Sequence, residues 1–94
     1  MTFPYLFDIR YKGEIFENSE DELRRFSEFE LKRKDKKISV VTPPSKGRVL
    51  LNYINDPSTK AVVIPAVTID REDYCTVILT RDNMPILAIE MRFL

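Results

Sequence analysis

Five bases occupy six consecutive positions in this chain: Lys32-Arg33-Lys34, then Asp35, then Lys36-Lys37. A cluster of that density is suited to holding anions, phosphates above all, and such binding weakens with salt. Lys46 and Arg48 follow after a loop that contains Pro43 and Pro44, and are expected to widen the patch. Prolines hold a loop extended, and loops on rigid scaffolds are common sites of recognition. The candidate partner-binding residues are therefore Lys32, Arg33, Lys36, Lys37, Pro43, Pro44, Lys46 and Arg48. The purely structural reading is that bases at a helix C-terminus complement its dipole. Five bases exceed that need, but Glu28 and Glu30 balance them. Ser45-Lys46-Gly47 lacks the upstream glycine and the spacing of a phosphate-binding P-loop.

Other chemistry is thinner. Asp70, Glu72, Asp73 and Asp82 offer oxygen ligands for Mg²⁺ or Ca²⁺, without the spacing of an EF-hand. Glu30-Leu31-Lys32 fits the ExK element of metal-dependent nucleases. That element requires a strand and a partner Asp, whereas this stretch reads as helix. Cys75, in an apolar run, reads as a buried inert thiol. Histidine is absent from all 94 residues. A Ser–His–Asp triad, a Cys–His pair and a Cys/His zinc site are thereby excluded within the chain. No side chain has an ordinary pKa near neutrality to serve as a general base. The expectation is a protein that is not an enzyme and holds no cofactor or metal.

Fifteen bases cancel fifteen acids, which argues against bulk attraction to nucleic acid and leaves only a local patch. The 44% hydrophobic and 32% charged fractions are those of an ordinary globular domain, so one domain over residues 1–94 is expected. A single cysteine forms no internal disulfide. The start, MTFPYLFDIR, has no basic region of the kind that opens a signal peptide. The longest apolar run, 61–67, is interrupted by Pro65 and is far too short to span a membrane. A cytoplasmic protein is expected.

These residues must be positioned by local elements. Residues 5–11 alternate apolar and charged, and with 14–17 they read as a hairpin around Lys12-Gly13. Ser19-Glu20-Asp21-Glu22 fits a capping box. Acid-to-base pairs four apart follow, Glu28 with Lys32 and Glu30 with Lys34 among them, beside a stripe of Leu23, Phe26 and Phe29. This predicts a helix over 20–34. A shorter helix followed by a strand competes, because Phe29 and Leu31 also alternate. Residues 38–41 read as a strand, 42–47 as a loop, 48–55 as a strand or a short helix, and 55–58 as a turn. Residues 61–69 are β-like, with Pro65 implying an edge, a bulge or a break. The surest strand pair is 74–80 with 86–94.

The fold class predicted is α+β, a mostly antiparallel sheet with one helix, in the order ββα then about four strands. The opening hairpin–helix–strand resembles the start of a β-grasp fold, over less than half the chain. The functional expectation is a small non-enzymatic protein-interaction module: a regulator, inhibitor or assembly subunit with an unknown protein partner. The alternative is a nucleic-acid-binding domain using the 32–37 cluster and the 46–48 loop. If 86–94 lies at a sheet edge, Glu90 and Arg92 could pair across a two-fold axis in a homodimer. If it is central, its hairpin partner and the N-terminal strand flank it.

Overall fold

The computed structural model describes residues 5–16 and 25–94. Six antiparallel strands, one α-helix and a short 3-10 helix (Ile69–Arg71) make up the regular structure of the described residues, an α+β fold. They are β1 (Leu6–Phe16), β2 (Arg25–Arg33), β3 (Lys36–Thr42), α1 (Pro44–Ile54), β4 (Lys60–Pro65), β5 (Tyr74–Arg81) and β6 (Met84–Phe93). The strands close into a barrel in the order β1-β2-β3-β6-β5-β4, with β4 returning to β1. No helix among the described residues is long and apolar enough to cross a membrane.

The helix is not where the acid–base pairs placed it. Residues 25–33 form β2, and the capping box at 19–22 lies outside the described residues. The reason is the period. On a helix Phe29 and Leu31 would point some 200° apart, whereas on a strand they share one face. Here both point into the barrel and are fully buried, while Glu28, Glu30 and Lys32 take the other face. Phe26 and Phe29, three apart, fall on opposite faces, so the helical stripe dissolves. Burying Phe29 and Leu31 is worth about 1.5–3 kcal/mol each, against a few tenths for each i,i+4 ion pair. With β2 a strand, the likeness to a β-grasp start does not hold.

Lys12-Gly13 is a bulge rather than a hairpin turn. β1 runs straight through it, with Tyr11 opposite Phe29 and Gly13 opposite Glu28, leaving Lys12 as the extra residue. Gly13 has φ +101°, a conformation costly for any residue with a Cβ.

Of residues 42–47, expected as a loop, Thr42 ends β3 and 44–47 begin α1. Pro44 sits at the first helical position, where its fixed φ helps and its missing N–H costs nothing. Extended Pro43 precedes it, and its carbonyl accepts from the amides of Lys46 and Gly47, 3.0 Å each. Gly47 lets the helix lie flush on β2: a Cβ there would sit 2.4 Å from Ser27 Oγ and 2.6 Å from Ser27 Cβ. Leu50, one turn on, is fully buried against the barrel core. The helix thus crosses one end of the barrel and closes it.

Past α1, Asp56 Oδ1 accepts from the Ser58 amide at 2.9 Å and from the Ser58 hydroxyl at 2.7 Å, the expected turn. Those two bonds, with Arg81 nearby, hold the Asp56 carboxyl below its ordinary pKa. Arg81 Nε lies 3.1 Å from Asp56 Oδ2, an ion pair without a well-aligned hydrogen bond. β4 stops at Pro65, as a proline in a strand suggests. Asp82-Asn83, both at positive φ, make the tight turn between β5 and β6.

Strand β6 behaves as its pattern implies on its faces: Ile89 and Met91 are buried, and Ala88, Glu90 and Arg92 are exposed. It is neither a free edge nor flanked by the N-terminal strand. Its end pairs with β3 at Phe93 with Val40 and Arg92 with Val41, because the barrel closes there. Over 86–90, β5 is its only strand partner among the described residues, and α1 lies alongside.

Candidate functional site

Opposite the helix-covered end, no element among the described residues covers the barrel. The start of β1, the end of β4, the start of β3 and the end of β6 surround a cleft of about 770 Å³. Its walls are apolar: Phe7, Ile38, Val63 and Phe93 carry the core up to the opening. Tyr5, Ile64 and Leu94 border it too and are about half-exposed. Volumes of this size are typical of ligand pockets, and barrel mouths are among the places they form.

The basic cluster sits at this mouth. Lys34-Asp35 is the tight turn joining β2 to β3, with Lys34 at φ 50°, and the other four bases flank it. The register places Lys32 opposite Lys37 and Arg33 opposite Lys36. Like charges directly opposed across strands are destabilising. Strand alternation then divides the cluster. Arg33 and Lys36 share the inward parity of Leu31 and Ile38, and so project at the mouth. The Arg33 guanidinium lies 3.7 Å from the centre of the Tyr5 ring. Lys36 borders the cleft, and so does Lys37. No ion pair among the described residues involves Arg33 or Lys36.

The outward bases meet acids instead. Glu30, whose side chain is only 9% exposed, lies 3.3 Å from Arg10 Nε and 4.0 Å from Lys37 Nζ. Asp8 pairs with Lys60 and stands opposite Lys32 in register. Glu30-Leu31-Lys32 therefore does lie on a strand, with an Asp across from it, which is the context the ExK reading lacked. Both carboxylates are already matched by cations, and no group of three His, Cys, Asp or Glu able to hold a metal occurs among the described residues. The arrangement is an ion-paired surface.

Comparison with protein-family models, with curated proteins and with solved structures finds no match to this chain. The chemistry of the site has to be read from the site.

The expected patch does not form as one surface. Pro43, Pro44, Lys46 and Arg48 belong to α1 and its cap, at the far end of β3 from the hairpin. Seven strand residues separate the two groups by roughly 20 Å. The acids divide likewise. Asp70, Glu72 and Asp73 lie before β5 and Asp82 after it, roughly 30 Å apart along the strand. Cys75 is buried, and desolvation, with the Glu90 carboxylate adding, pushes its thiol up to about 11. A neutral, enclosed thiol is a poor nucleophile.

The apolar half of the mouth was not among the expected site residues. Tyr5, Ile64, Phe93 and Leu94 looked like core or strand ends. A usable signal existed in Ile64-Pro65: an apolar side chain at a proline-terminated strand end has no further strand to cover it.

Proposed function

We propose that this chain is a small non-enzymatic protein-interaction module of the cytoplasm, a regulator, inhibitor or assembly subunit that engages its partner through the open mouth. The observation that carries this is the meeting of an apolar cleft, covered by no element among the described residues, with two bases, Arg33 and Lys36, held face to face at its rim. Exposed apolar surface and opposed like charges both cost free energy in the isolated protein, and a partner that covers the one and neutralises the other relieves both. Ile64 and Leu94 test it, because they border the mouth while being substantially exposed. Wild type should retain proteins from a host extract that the Ile64→Asp/Leu94→Asp variant, with an unchanged circular dichroism spectrum, does not. Retention of the same proteins by both forms would remove the mouth from the interaction.

Nucleic-acid binding stands as the second reading, favoured by the five bases of the hairpin. It calls for salt-dependent binding to a generic oligonucleotide, and an absence of binding at ~50 mM salt would end it. The α1 bases would not contribute to the same contact, given their distance. A second copy of the chain adding to the sheet would do so along 86–90 of β6, and sedimentation at micromolar concentration reads that directly.

A further inference from the structure

We infer that the segment this mouth receives is an acidic stretch of a partner protein carrying an apolar anchor side chain. The inference rests on the mouth being the working surface of an interaction module, and it specifies the chemistry of what enters.

Three observations carry it. First, the walls set by Phe7, Ile38, Val63 and Phe93 bring apolar surface to the opening, so the group that fills the cleft is itself apolar. Second, the cations lie at the rim and not within. Arg33 and Lys36 project there, Lys37 borders the cleft, and Lys34 stands in the turn beside them. A segment whose apolar side chain is inserted therefore carries its neighbouring residues across a row of positive charge. Carboxylates at those neighbours complement it, and opposite charge also speeds encounter. Third, the alternatives fit less well. A nucleic acid would bring phosphates to the hairpin but no aliphatic group for the cleft. The Tyr5 ring, the obvious stacking platform, already has the Arg33 guanidinium over it. A fatty anion has one headgroup, whereas Arg33, Lys36 and Lys37 all stand at the rim.

The α1 bases enter the test as a control. Lys46 and Arg48 carry the same charge but sit at the closed end. If attraction were merely general, their loss would weaken binding as much as loss of the rim pair.

Random linear peptides displayed on phage, panned on wild type against excess Ile64→Asp/Leu94→Asp protein, test the class directly. The selected sequences should place Asp or Glu beside one or two of Phe, Leu, Ile or Met. Fluorescence anisotropy with a labelled selected peptide should show a loss of roughly tenfold or more for Arg33→Gln/Lys36→Gln, the scale expected for removing charge partners at an interface. Lys46→Gln/Arg48→Gln should change affinity less than twofold. Raising salt from ~50 to ~500 mM should weaken the wild-type complex and flatten the difference between variants. Selected peptides without acids, or without an apolar residue, overturn the inference, as does equal weakening by the α1 pair. Displacement of the peptide by stoichiometric decanoate makes this a small-anion site and overturns it too. If host proteins depend on Ile64 and Leu94 while no acidic–apolar peptide is selected, this partner class is wrong and the interaction-module reading survives.

Discussion

The two ends of the barrel are built from the same strands and finished in opposite ways. At one end α1 crosses the opening, Gly47 lets it lie against Ser27, and Leu50 is fully buried. At the other, Ile38, Val63 and Phe93 are only partly buried, charged side chains stand at the rim, and no element among the described residues covers it. On the proposed function, the contrast separates stability from recognition. The closed end spends its apolar surface on folding, and the open end leaves it available. Substitutions at the closed end should therefore unfold the protein, and those at the open end should mainly change what it holds.

The largest effect should come from Leu50→Ala, a cavity beneath the helix. It should lower stability by about 2–5 kcal/mol in chemical denaturation. Ile38→Ala, the same kind of truncation at the mouth, should cost less than half as much. Equal losses would mean that the mouth is core and not a site.

Gly47→Ala comes next. The added methyl overlaps Ser27 Oγ and Cβ, so helix or strand must shift, at a cost of about 1–3 kcal/mol. Ser27→Gly removes both atoms, and the double variant should recover most of the loss. Independent, additive losses would show that the close approach is not what confines this position to glycine.

Cys75 sharpens the boundary between mouth and core. It opposes Pro65, which borders the cleft, yet it is buried. Thiol reagents at pH 8 should label it only as fast as the protein opens. Its folded pKa is raised from 9.0 to about 11, so the unfolded chain releases this proton first as pH rises. The contribution of Cys75 to stability is complete below pH 9 and is lost between pH 9 and 11. Rapid labelling of the native protein would show that the mouth reaches deeper than Phe7 and Val63.

The smallest effect is at the rim. Lys36→Glu converts the opposed Arg33 and Lys36 into an attractive pair, and stability should rise by about 0.2–1 kcal/mol. The same change should abolish binding of an acidic segment. A loss of stability would indicate that Lys36 already has a partner.

Much of the strand inventory was legible. The pairing of 74–80 with 86–94 and the 55–58 turn follow from local rules, alternation and Asx chemistry, while of the edge, bulge or break that Pro65 implied within 61–69 the structure takes the break. The helix was misplaced because two local signals conflicted over 25–33. Ion-pair spacing favoured helix and the Phe29/Leu31 alternation favoured strand, and the choice depended on β1 and β3 being there to pair. A short helix was one of the two readings left open for 48–55, but the start of α1 was hidden by its own signals, since Pro43, Pro44 and Gly47 read as a loop when their packing surface is unknown. Of the site, the cluster of bases was visible and its division was not. Which base faces the mouth depends on register, and register is set by pairing across strands.

By itself, the sequence determined the α+β class, the density of charge at 32–37 and the lack of histidine chemistry. Composition and period carry those properties, and no distant residue alters them. Only the tertiary structure decided that 25–33 is a strand, that α1 closes one end, that Arg33 meets Tyr5 and that Lys36 borders the apolar mouth. Each of these follows from barrel closure. Closure brings together residues far apart in the chain, such as Phe7 with Val63 and Ile38 with Phe93, and it assigns every strand residue to the inside or the outside.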